Sequence, residues 1–512
     1  MVRLPAKQFA APLAILGLLL SPQSRAEVIV KPAVSVRETY SDNAQLAPSE
    51  NAEGQFISDL SPTVSMILNG PRLKLNASLS AHLYAYSGAR PSGTNSSTIQ
   101  GSTSGKANLV EDLLYLDGAA SRSRQSVSTF GQQFQNGYSD VNADNITTYR
   151  LSPYLVHRFG AGANVQLRYT RDSVKSSRNT LSDSTGDSVN LNVSSGPAFS
   201  SVGWDLQAFH QQVEDPLAGK SQIDNATGTL RYRLKQSLSV YTNVGHDRYT
   251  YQGLGGTTEG KSYAGGLTWT PSLRTSIDAS IGRRYFGKTY SLDATVRSRK
   301  TVWNATYRDE ITTARAQFLQ PGSVDTASLL DSSFAAAFPD PVERRQAIDA
   351  YIRALGLPAT VATATNYFSN RLLLQKQFQG SVILNGSRST MIASFTNSKR
   401  TALSPSGADV GLDNPLIGNL NDNTRQRTAS VVATYRLSPR SAATVTATRS
   451  NSLSLSSGIE QNQTLFNFVL TRQFERRLAG TVELRRIQGG TVLAGTRGYR
   501  ENAITASLSY QL

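Results

Sequence analysis

The sequence has 512 residues, no cysteine and a formal charge of +16. Such a length fits several soluble domains or one large closed sheet, and the lack of cysteine excludes a disulfide scaffold and thiolate metal sites. A basic balance points to an anionic partner, and the first residues narrow which kind.

At the N-terminus Arg3 and Lys7 precede an apolar run of eleven residues, Ala10 to Leu20, and Ser24-Arg25-Ala26 puts small residues at the two positions a signal peptidase reads. This predicts a secretory signal peptide over 1–26 and a mature chain from Glu27. The run is too short to cross a bilayer as a helix, which takes about 20 residues. With no cysteine behind it, a lipoprotein anchor is not expected. Losing Arg3, Lys7 and Arg25 leaves a charge of +13. An exported chain meets anionic headgroups or an anionic polymer rather than nucleic acid, and it has no supply of ATP.

Beyond this segment the chain alternates. In RLKLNASLSAHLYAY, Leu73, Leu75, Ala77, Leu79, Ala81, Leu83 and Ala85 share one parity, while Lys74, Asn76, Ser78, Ser80 and His82 share the other. Period two places these sets on opposite faces of a strand, one that exceeds the usual soluble length of about 5–6 residues. Similar runs recur between short turns near 69–71, 110–112, 159–162, 196–199, 235–236, 270–272, 297–300, 385–388, 438–440 and 474–477. Longer polar connections cover 45–54, 87–97 and 451–462. The pentapeptide YRLSP, at Tyr149 to Pro153 and again at Tyr435 to Pro439, puts an aromatic near a turn. Modest apolar faces backed by Arg, Asn, Thr and Ser suit a wall between lipid and a polar interior, not a sandwich core. Closing such a sheet satisfies every backbone group in lipid. The expected fold is all-β: one antiparallel transmembrane β-barrel over 27–512, with about 22 strands (18 to 24).

Midway, GGTTEGKS (Gly255 to Ser262) fits the phosphate-loop pattern. A working phosphate loop joins a buried strand to a helix, but Tyr263, Gly265, Leu267 and Trp269 continue an alternation, so the glycines are expected in an outer loop. The longest connection, 313–365, carries a helix signal: Asp340 as cap, Pro341 at the first position, Glu343 closing a capping box, then Ile348, Tyr351, Ile352 and Leu355 on one stripe. Asp340, Glu343, Ile348, Ile352 and Leu355 are therefore candidates for a gating helix, or for a surface excursion packed on loops.

The polar parity holds Arg72, Lys74, Arg150, Arg168, Arg231, Arg233, Arg308, Arg436 and Arg485, against Asp278, Glu310 and Glu483. If these nine cations line the lumen, it favours anionic solutes or sugars; they could instead pair with carboxylates and fill the interior, or snorkel to lipid phosphate. His82, His157, His210 and His246 are scattered, with no nucleophile motif, so no catalytic residue, metal site or cofactor is expected. The final strand, ENAITASLSYQL, sets Ile504, Ala506, Leu508, Tyr510 and Leu512 on one face.

Several stretches, VRETYSDNA (36–44), NLVEDLLYLDGAAS (108–121), RKTVWNATY (299–307), PDPVERR (339–345) and the final strand, resemble the outer-membrane β-barrel proteins that accompany exosortase/PEP-CTERM exopolysaccharide systems in Gram-negative bacteria. The resemblance implies an outer-membrane location, assembly by the barrel assembly machinery, and association with exported polysaccharide and periplasmic export proteins; it implies no catalytic residues. Such barrels usually end in Phe or Trp, so Leu512 departs from the pattern while Tyr510 keeps an aromatic in the terminal assembly signal. The expected function is a channel or accessory protein for exopolysaccharide or envelope export. The alternatives are a structural scaffold without transport and a barrel-borne hydrolase.

Overall fold

The computed structural model describes residues 27–90, 93–132, 137–139, 142–177, 183–216, 219–251, 256–319, 331, 344–345, 347–348, 352, 368–369, 371–404, 420–490 and 498–512. The predicted signal peptide, Gly255, Asp340, Glu343 and Leu355 lie outside the described residues.

Twenty-two strands form one sheet, each antiparallel to the next in the chain. The first, β1 (Glu27–Ser41), pairs with the last, β22 (Gly498–Gln511), from Ala33↔Gln511 to Ser41↔Ala503, and this closes the barrel. Strand lengths run from 10 residues in β13 (Thr275–Arg284) to 17 in β10 (Gly219–Lys235). A strand of 14 residues extends roughly 46 Å. Tilted about 40° it still covers roughly 35 Å along the barrel axis, more than the ~30 Å hydrocarbon core.

Alternation supplies the two surfaces. In β10, Leu230, Tyr232 and Leu234 are exposed on the outside, and Arg231 and Arg233 point inward between them. In β22, Ile504, Leu508 and Tyr510 face out while Ala503 and Thr505 are buried within. Outward Phe159, Tyr232, Trp269 and Tyr435 ring the short-turn end, and outward Tyr40, Phe56 and Tyr149 sit toward the other end. Two aromatic belts bounding an apolar band are what a barrel presents to a bilayer's two interfaces.

All ten short turns occur, and both ends of the paired sheet lie on their side. Three expectations shift. The turn placed at 270–272 is Leu273-Arg274, because β12 (Gly256–Ser272) absorbs an irregularity between Trp269 and Ser272 and runs on. Gly256 to Ser262 is strand rather than loop, paired from Gly256↔Tyr251 to Ser262↔Gly245, so the phosphate-loop pattern has no helix to serve. Tyr149 to Pro153 lies inside β6 (Ala143–Phe159), far from its short turn, so the two YRLSP copies sit at different heights.

Candidate functional site: the barrel lumen

The inward face of the wall from β6 onward carries most of the predicted basic residues. Arg72 is exposed in the turn between β2 (Gln55–Asn69) and β3 (Leu73–Tyr86), and Lys74 follows it into β3. Arg150 stands opposite Asp172 across the pair of β6 with β7 (Ala163–Ser176). Arg168 bonds Asp117 at 2.8 Å and stacks 3.9 Å from the centre of the Tyr154 ring. Arg308, in β15 (Thr301–Thr312), reaches Asp293 at 3.6 Å. Arg485, in β21 (Leu478–Gly490), is buried between Glu501 at 3.1 Å and Glu483 at 3.8 Å. Arg231, Arg233 and Arg436 are exposed to the lumen and have no ion pair among the described residues.

The expectation that cations dominate this wall throughout is therefore corrected. Register brings in inward acids that a single strand does not reveal: Asp59, Asp117, Asp172, Asp247, Asp293 and Glu501. Buried charge is tolerable only when paired and hydrogen-bonded, and pairs occur at both ends of the wall: Arg168–Asp117 near the short turns, Arg485–Glu501 toward the loops.

Inside that end, connections fold back into the cylinder. Ser128 Oγ donates to Asn421 Oδ1 at 3.1 Å, and Phe368 N donates to the Val127 carbonyl at 3.1 Å. Gln461 Nε2 donates to the Gly131 carbonyl at 2.8 Å, and Gln132 Nε2 to the Leu46 carbonyl at 3.0 Å. Apolar groups complete the closure. Ile146 and Val174 of the wall pack on Leu319 and Phe368; Leu465, Ile487 and Tyr499 pack on Leu46; Ile57 packs on Ala44 and Tyr138. The sequence shows these wall residues only as exceptions to a polar parity.

A short helix unmarked by sequence periodicity, α1 (Ala314–Leu319), belongs to the same fill. Its Arg315 donates to Ser184 at 2.8 Å and pairs with Asp172, while Gln317 donates to Gln375 at 2.6 Å. Gly186 lies opposite Asp172, and a Cβ there would come within 2.8 Å of Arg315 Nη2, so glycine leaves the guanidinium its path. Of the predicted gating helix, Ile348 and Ile352 are helical and buried, and Arg344 Nε bonds Asp331 at 2.7 Å.

Burial shifts two titrating groups in these connections. It pushes the Tyr138 phenol up, with the Glu501 charge adding to the effect. It also raises the Asp422 carboxyl, against the opposing pull of Arg371 at 2.8 Å.

Among the described residues, cavities remain that are walled by strands on one side and connections on the other. One of about 530 Å³ is lined by Gln207, Asn225, Asn243, Tyr249 and Arg284, and by Arg315 and Ser369 of the fill. Another, of about 430 Å³, is lined by Arg37, Asp59, His82, Tyr84, Tyr138 and Arg485. Sequence spacing did not connect His82 with Asp59 and Ser61, which the register of β2 on β3 assembles. Ser61 Oγ and Asp59 Oδ2 both meet Nδ1 of His82, at 2.8 and 3.1 Å. In a hydrolytic triad the serine and the carboxylate use opposite ring nitrogens, and here they share one.

Charge also sorts by end. The ten short turns hold eight cations (Arg72, Arg274, Arg299, Lys300, Arg388, Arg440, Arg476, Arg477) against Glu111, Asp112 and Glu475. Among the described residues, the connections at the other end hold five cations against six acids. All eight turn cations are exposed, and none forms an ion pair among the described residues.

No protein-family model matches the sequence, and no curated protein matches it. Solved structures do. The apoprotein form of the FrpB iron transporter from Neisseria meningitidis (F5-1 variant) superposes with a TM-score of 0.50 at 8% identity, covering 94% of this chain and 81% of that one. The siderophore receptor PirA from Pseudomonas aeruginosa gives 0.46 at 10% identity, over 94% and 80%. Acinetobacter baumannii OccAB3 gives 0.35 at 10% identity, over 94% and 99%. The likeness to FrpB is one of fold. A closed antiparallel cylinder of 22 strands, apolar and belted outside, polar and ion-paired within, is an outer-membrane β-barrel.

Proposed function

We propose that this barrel is a gated conduit assisting export of an exopolysaccharide or another envelope polymer, and that it is not an enzyme. The observation that carries the conduit reading is the fill itself: Val127–Gln132, α1, Phe368, Ser369, Arg371, Leu372 and Asn421 meet inside the wall through scattered hydrogen bonds and a small apolar cluster rather than a continuous core. Cylinders of 22 strands are wide enough to need such filling, and one made from the barrel's own connections can be withdrawn. The polymer follows from the resemblance carried by residues 36–44, 108–121, 299–307 and 339–345. The shared Nδ1 at His82 supports the non-enzymatic reading.

A scaffold without transport is the second reading, favoured by the inward side chains of β17 (Ser389–Ala402) and β18 (Asn423–Ser438). Thr396, Ser398, Arg400, Gln426, Thr428 and Ser430 are all buried. Planar-bilayer recording separates the two. The conduit is expected to conduct weakly as purified and strongly after deletion of residues 328–358. Silence from both proteins, at any voltage, favours the scaffold. Loss of extracellular polysaccharide on gene deletion tests the polymer.

A further inference from the structure

Resting on the conduit reading, we propose that the short-turn mouth is a binding site for an acidic polysaccharide, a chain with a carboxylate on successive sugars, which enters there and runs up to the fill. The exposed turn cations form no ion pair among the described residues, yet alone they could serve the phosphates of the inner leaflet. What lipid cannot reach is their continuation inside. Arg158, Arg231, Arg233 and Arg436 point into the lumen, opposite outward Phe159, Leu230, Tyr232 and Tyr435, and are exposed without an ion pair among the described residues. Arg231 sits four residues above the end of β10, about 13 Å along the tilted strand and so roughly 10 Å inside. Inward acids at this height are already engaged: Asp117 by Arg168 at 2.8 Å, Asp205 by Asn192 at 3.0 Å, Asp278 by Tyr241 at 2.7 Å and Thr268 at 2.6 Å, and Asp293 by Arg308 at 3.6 Å.

An acidic protein face would cover the rim but could not extend to Arg231, and a small anion would need no rim. A flexible linear polyanion uses both. Its path ends at the buried pairs toward the loops, such as Arg485–Glu501 and Arg284–Asp247, which offer no free cation. The opposite end, near charge balance among the described residues, offers no comparable cationic rim, so capture is one-sided.

The test is binding of alginate oligomers, a polyuronate, to the full-length barrel in detergent, with dextran of equal length as the neutral control. Alginate is expected to bind and to weaken as salt rises, and dextran is not. Reversing the rim (Arg299→Glu, Lys300→Glu, Arg388→Glu, Arg440→Glu) should weaken alginate about tenfold, and Arg231→Glu with Arg233→Glu should do so separately. Each variant is first checked for the folded band that unheated barrels give on gels. Equal binding of dextran, no loss in the Arg231/Arg233 variant, poly-glutamate binding as tightly as alginate, or displacement by phosphatidylglycerol would each overturn the proposal. Conductance decides the conduit separately: current without alginate binding removes only this site, and alginate binding without current removes only the conduit.

Discussion

Leu46 has a backbone φ of +52°, in the left-handed region that a bulky residue rarely enters, and is wholly buried. Asn43 holds it there: its amide nitrogen donates to the Ala47 carbonyl and its oxygen accepts from Ala47 N, both at 2.8 Å. The Leu46 side chain can then fill the gap between Leu465, Ile487 and Tyr499. Asn43→Ala is expected to release this turn at a cost of about 1–3 kcal/mol, read as faster proteolysis of the 42–54 connection with the barrel intact. Arg485 carries a larger stake. Glu501→Gln keeps the shape but leaves a buried guanidinium undercompensated, so unfolding in detergent should show a loss of about 3–5 kcal/mol. A change under about 1 kcal/mol would mean that Glu483 suffices. Arg485 was legible as an inward base from strand parity. Its partner was not, since Glu501 shares that parity on the next strand and only register brings the two together.

Elements differ in how much they disclose. A strand of 14 residues states its two faces seven times over, so parity assigns Arg231 and Arg233 to the lumen side without a structure. A helix of six residues, α1, completes fewer than two turns and leaves no periodic signal. Arg315→Ala should free α1 from Asp172 and Ser184 and raise single-channel conductance severalfold; unchanged current would show that α1 is not part of the gate. Asp422 makes a second test at this scale. Its carboxyl is raised in the docked connection, so the docked state holds the proton more tightly than a released one does. This contribution is full below the ordinary carboxylate pKa of about 3.9 and is lost as pH rises through the raised value. Acidifying from about pH 7 to about pH 4 should therefore tighten the fill and lower conductance. Asp422→Asn should flatten that response, and opening on acidification would contradict it.

For the whole molecule, strand number and the side of every short turn could be read from alternation and turn residues, because lipid and lumen impose opposite demands on every strand. The fill could not, because it is written in cross-barrel contacts such as Ser128–Asn421, 293 residues apart. Closure is the feature that tests most simply. Asp42 accepts from the backbone and side-chain nitrogens of Asn502, each at 2.7 Å, across the β1–β22 seam. Asp42→Ala should lower the temperature at which the compact gel band converts to the extended one; an unchanged conversion temperature would place the seam's strength in the backbone pairs alone.

The same seam sets an order of events. Thr39 meets Thr505 and Ser41 meets Glu501 only after more than 450 intervening residues have been made, since these partners lie 466 and 460 positions apart. Until then both terminal strands display unsatisfied edges, which hydrocarbon does not tolerate. Interrupted synthesis or an early stop before β22 thus yields a ribbon with open edges that cannot be stored in the bilayer.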